Sequence, residues 1–113
     1  MKELFYYLRD DKNRPIITVC LIAVEEGTLA RGVAICSDKD QPNKKIGRAI
    51  ARGRAIKALK RKKMGDGINR NEAWEIMERL GVPFTYKSYY NTFAFSWEEF
   101  LFELEGVKRT AMA

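Results

Sequence analysis

Residues 16–36 read IITVCLIAVEEGTLARGVAIC, and their interpretation decides the fold. Ile16 to Val24 is nearly all apolar and rich in β-branched residues, the pattern of a strand buried on both faces. Glu25-Glu26-Gly27-Thr28 is turn chemistry, and Leu29 to Cys36 reads as the returning strand, so 16–36 is expected to form a β-hairpin. Gly32 inside the return implies a bulge or a close approach of backbone to another element.

Upstream, ELFYYLR at 3–9 is a short apolar segment, helix or strand, and Asp10 to Arg14 reads as a turn. Downstream, Ser37 to Asn43 combines turn chemistry with a proline near a helix start, which predicts a helix over 42–62. Ile46, Ala49, Ile50, Gly53 and Ile56 recur at helical spacing and are expected to make its core stripe. Gly47, Ala51, Ala55 and Ala58 lie opposite and would form an open surface of small residues. Met64-Gly65-Asp66-Gly67 ends this helix. A second helix is expected over 72–80, capped by Asn71 and stopped by Gly81, with Ala73, Ile76, Met77 and Leu80 inward. The aromatic stretch 84–95 is β-prone. Ser96-Trp97-Glu98-Glu99 reads as a capping box opening a helix over 97–105, with Trp97, Phe100, Leu101 and Leu104 on one face. The expected fold class is α+β: one domain over 1–113, an antiparallel β-sheet with a long basic helix and two shorter helices packed on one side.

Charge is the strongest functional signal. The 113 residues carry 21 Lys+Arg and 15 Asp+Glu, a net +6. Ten of the basic residues fall between Asn43 and Lys63, without one acid among them, so the remainder is net −4. Such asymmetry points to an anionic partner: nucleic acid, a nucleotide or a membrane surface. Lys45, Arg48 and Arg52 share one flank of the helix, and Arg54 and Arg61 the other. Arginine grips phosphate oxygens with two parallel hydrogen bonds and stacks on bases, which makes the arginine-rich first half a candidate anion site. Tyr86, Tyr89, Tyr90, Phe93 and Phe95 fit a core strand, a sheet surface or a stacking platform for bases.

Several classes are disfavoured. There is no histidine, which removes imidazole acid–base catalysis and His-based zinc sites. Cys20 and Cys36 form no CxxC pair and read as free core thiols, with neither metal nor cofactor implied. The opening MKELFYYLRDDKN does not read as a signal peptide, and Ile16 to Val24 falls well short of the ~20 residues a bilayer span needs. A cytoplasmic protein without membrane contact or enzymatic activity is the expectation.

The stretch Arg31 to Lys60, RGVAICSDKDQPNKKIGRAIARGRAIKALK, resembles the type-one phage Thoeris anti-defence family. The likeness rests on a strand ending in CS, then a helix of the pattern D-Q-x-N-K-K-I-G-R-x-I-A-x-G-R-A. It covers 30 of 113 residues. The resemblance implies a non-enzymatic sponge that binds cyclic ADP-ribose immune signals, with some capacity for cyclic oligonucleotides, in the host bacterial cytoplasm. It further implies a homo-oligomer with ligand pockets at subunit contacts. Within the matched stretch it points to Asn43, Arg48, Arg52 and Arg54 as ligand-binding; Tyr90 and Arg109 are added as an aromatic and a C-terminal candidate that no matched motif carries. Lys45 joins them as the neighbour of Arg48 and Arg52 on the helix flank. The competing reading is a basic phage protein that binds double-stranded RNA or DNA, for which the helix start KKIGR at 44–48 and the charge are sufficient.

Overall fold

The computed structural model describes residues 2–25, 28–36, 41–61, 71–82, 89–92 and 94–104. Chain order is β1 (Lys2–Arg9), β2 (Pro15–Glu25), β3 (Thr28–Ile35), α1 (Lys44–Arg61), α2 (Asn71–Arg79), β4 (Tyr89–Thr92) and α3 (Ser96–Leu104). The fold is α+β, and the four strands form one antiparallel sheet in the order β1-β2-β3-β4. The hairpin over 16–36 is present as β2 and β3, and the ambiguous segment 3–9 is strand β1. Its turn into β2 is held by Asp10, whose carboxylate accepts from the Lys12 and Arg14 N–H groups at 3.0 and 2.9 Å. Asn13 takes the left-handed conformation there (φ 62°).

Strand alternation divides the hairpin residues between two faces. One carries Leu4, Tyr6, Ile17, Val19, Leu21, Leu29, Arg31, Val33 and Ile35, and packs with Ile76, Met77 and Phe102 of α2 and α3. The other carries Phe5, Thr18, Cys20, Ile22, Ala30, Gly32 and Ala34, and packs with Ala51 and Ala55 of α1. Helices therefore cover both faces of the sheet. The expectation of helices on one side is corrected, and the reason lies in β2. Its residues are apolar on both faces, so each face requires a cover.

The second correction concerns α1. Ala51, Ala55 and Ala58 are fully buried, whereas Ile46 and Ile50 are 58% and 43% exposed and Gly53 lies at the surface. The small-residue face is the packed one; Ile46 and Ile50 of the expected stripe face outward, while Ile56 is half-buried against the core. Gly32 explains the choice. A Cβ placed there would lie 2.1 Å from the Ala51 carbonyl oxygen and 2.5 Å from the Ala55 nitrogen. The β3 and α1 backbones thus touch directly, and only small residues on α1 admit that approach.

The third correction concerns α3. Trp97, Phe100 and Leu104 are exposed and Leu101 is half-buried, while Phe102 and Glu98 face the core. The expected capping box is replaced by half of one, a residue earlier, since a phenylalanine N-cap has no side-chain acceptor to return. Phe95 is the N-cap position, its carbonyl accepting from Glu99 N–H at 3.0 Å, and Glu98 reaches back to the Phe95 N–H at 2.8 Å. The α2 expectations hold where they are described. Ile76 and Met77 are buried, Leu80 is half-buried, and Gly81 (φ +65°) ends the helix as Val82 N–H donates to the Met77 carbonyl. Cys20 and Cys36 are free thiols, buried and half-buried respectively. No helix among the described residues is long and apolar enough to cross a membrane.

Candidate functional site

The site is built on α1. Its first turn holds no acid, and Asn43 caps it by accepting the Ile46 N–H on Oδ1 at 3.1 Å. That cap occupies the side-chain oxygen of Asn43 and leaves its Nδ2 as a donor. The positive end of the helix dipole and the local cations act in the same direction there.

The two predicted flanks are both present and lie on opposite sides of the helix. Arg48 Nη1 donates to the Tyr7 hydroxyl at 3.0 Å, and Lys44 Nζ stands 4.9 Å from the centre of the Tyr7 ring. Arg52 grips Glu3 with Nε and Nη2, at 2.7 and 3.2 Å. The Glu3 carboxylate, by hydrogen bond and then by charge, holds the Arg52 guanidinium more firmly protonated than usual. Arg48 and Arg52 are therefore fixed along the β1 edge, with Lys45 exposed beside them. Arg54 points the other way, and its Nη1 donates to the Val33 carbonyl of β3 at 2.6 Å. The three arginines do not converge on one point within a single chain. Tyr90 lies on β4 at the far end of the sheet order from β1, and Arg109 lies outside the described residues, as do Asp38, Asp40 and Tyr86.

Two hollows flank this helix. The first, of about 420 Å³, opens between the first turns of α1 and the adjoining ends of β2 and β3. Pro15, Ile16, Ile35, Ile46 and Ile50 give it apolar walls, and Thr18, Gln41 and Asn43 give it polar groups. The second, of about 360 Å³, runs along the β1 edge, where Tyr7 and Arg48 meet Leu101 and Leu104 of α3. Among the described residues no three His, Cys, Asp or Glu side chains come together to hold a metal ion.

On the opposite face lies a polar cluster that the charge pattern did not single out. Arg31 and Glu98 are 2% and 0% exposed and form a two-pronged ion pair, Nη2 to Oε1 at 2.5 Å and Nε to Oε2 at 3.1 Å. Tyr6 donates its hydroxyl to Glu98 Oε2 at 2.6 Å. With the Phe95 N–H, the buried carboxylate receives four donors. The Arg31 guanidinium lies 4.8 Å from the centre of the Phe95 ring, which stacks on Trp97 at 4.9 Å. Burial, and then the Glu98 charge, push the Tyr6 phenol far above its ordinary range. The cluster ties β1, β3 and the start of α3 together; a lone arginine in an otherwise apolar strand was its signal in the sequence.

No protein-family model, no curated protein and no solved structure matches the chain.

Proposed function

We propose that the protein captures a small cyclic nucleotide of the cyclic ADP-ribose class and holds it unchanged, as a phage counter-defence sponge in the host bacterial cytoplasm. The observation that carries this reading is the acid-free basic helix, with Lys44, Arg48 and Arg52 drawn together along the β1 edge by Tyr7 and Glu3. Both guanidinium groups stay exposed on that edge, where a pyrophosphate can reach them. The resemblance of residues 31–60 supplies the ligand class and the oligomer, in which a second copy completes the site. The arginines of one chain point to different sides, and that arrangement suits a ligand shared between copies.

Thermal-shift screening against cyclic ADP-ribose isomers, cyclic dinucleotides, cyclic trinucleotides and short duplexes tests the proposal. A cyclic nucleotide at 100 times its Kd adds about 2.7 kcal/mol, which is several degrees for a chain of this size. The expected result is a large shift with one such compound and its intact recovery after heat denaturation, read by mass spectrometry. Recovery of an altered compound would make the protein an enzyme. A second reading, duplex binding, is favoured by the exposed Lys45, Arg52, Lys57 and Lys60 along α1. It predicts steeply salt-dependent affinity for RNA or DNA with no nucleotide response.

A further inference from the structure

We propose that the hollow at the head of α1 is the seat of the uncharged, heterocyclic end of the nucleotide, and that Thr18 is its anchor. This inference rests on the nucleotide-binding reading above and assigns the ligand's parts to places. The first observation is Thr18 itself. It sits on β2 with 4% exposure and lines the hollow. A threonine hydroxyl both donates and accepts, so it can serve either edge group of a molecule in the hollow. Valine would fill the same strand position with no polar atom to satisfy.

The second observation is Gly47. A Cβ there would stand 2.6 Å from Thr18 Oγ1, so any larger residue at 47 would press on that hydroxyl. The third is the chemistry of the walls. Among the described residues that line the hollow the polar side chains are Thr18, Gln41 and Asn43 with a spare Nδ2, and none is charged. A pocket of carboxamides and a hydroxyl between isoleucines suits a flat, neutral ring with donors and acceptors on its edge. A phosphate would meet no cationic side chain among the described residues that line it. At about 420 Å³ it lies at the small end of the roughly 300–1,000 Å³ range of ligand pockets, room for a base with its ribose. The phosphates then remain outside, near the cations of α1.

The test is titration calorimetry of the full chain with adenosine, guanosine and inorganic phosphate as probes. Two variants are compared with the parent. Thr18→Val keeps the shape of the side chain and removes the hydroxyl. Asn43→Asp keeps the helix cap and replaces the Nδ2 donor by a carboxylate. Thermal melts confirm that both fold. The expected result is binding of one nucleoside, weakened at least tenfold by each variant, and no binding of phosphate alone. Failure of both nucleosides to bind, equal affinity in parent and variants, or Thr18-dependent binding of phosphate would each overturn the assignment. Titration with cyclic ADP-ribose isomers separates the two proposals. If an isomer binds parent and Thr18→Val alike, the pocket assignment falls and sequestration stands. If a nucleoside binds in a Thr18-dependent way and no isomer binds, the pocket stands and sequestration falls.

Discussion

The two faces of the sheet solve the same problem by opposite means. Under α2 and α3 the cover is made of large side chains, Tyr6, Leu21, Ile76 and Phe102, with an ion pair sealed among them. Under α1 it is made of Gly32, Ala51 and Ala55, with backbone set against backbone. The first face gains stability from apolar area and encloses the Arg31–Glu98 pair. The second gains proximity, which lets a helix crowded with cations lie close to the sheet while Arg48 and Arg52 reach the β1 edge. The difference teaches that helix orientation here follows the closest permitted approach, and not the greatest hydrophobicity.

The largest effect is expected at the sealed pair. Glu98→Ala strands the Arg31 charge and should cost about 3–5 kcal/mol in urea unfolding. Replacing both partners, Arg31→Met with Glu98→Leu, should recover most of that loss. If the double variant is as unstable as the single, the pair contributes more than a buried apolar contact would. On the other face, Gly32→Ala forces a Cβ into the α1 backbone and should cost about 3 kcal/mol, the upper end of overpacking effects. A near-neutral Gly32→Ala would mean that α1 stands farther from β3 than described.

Alkaline titration then separates the faces by their buried acids. The Tyr6 phenol belongs to the large-residue face, and its folded pKa is raised. Its share of stability is complete below about pH 10, where the unfolded phenol titrates, and declines as pH rises beyond that. Cys20 belongs to the α1 face, and burial pushes its thiol up to about 12. Its share is complete below about pH 9, the unfolded value, and declines between there and about 12. Tyr6→Phe should cost about 1 kcal/mol at neutral pH and make the loss above about pH 10 shallower. Circular dichroism melts across pH 8–11 would read this; a loss as steep as in the parent would exclude Tyr6 as its source. The smallest effect is expected at Ile50, where Ile50→Ser should change stability by less than about 0.5 kcal/mol because the side chain faces outward. A cost above about 2 kcal/mol would return the isoleucine stripe to the core.

The hairpin was legible because β2 is apolar at nearly every position, and that same feature required covers on both faces. The rotation of α1 was not legible by hydrophobic pattern. Two stripes recur at helical spacing, and Ile46 and Ile50 of the one with greater apolar surface are left outside. The deciding residue was Gly32, nineteen to twenty-six positions away from the helix residues it selects, and its role needs the tertiary contact to be seen. The flanks of basic residues followed from the 100° step alone, but their partners Tyr7, Glu3 and Val33 did not. Thr18 passed unnoticed because threonine is ordinary in a strand; its hydroxyl becomes informative only beside Gly47 and an unfilled hollow.

The backbone contact between β3 and α1 has a consequence for how the chain can vary. The sheet constrains α1 through Ala51, Ala55 and Ala58, and sets little condition on positions 45, 46, 49, 50, 52 or 53. Those six can be randomised in a library with a modest penalty in yield, and selection on such a library would act almost wholly on binding. The helix is in effect an interchangeable surface on a fixed mount, and new ligand preferences can be sought there without redesigning the fold.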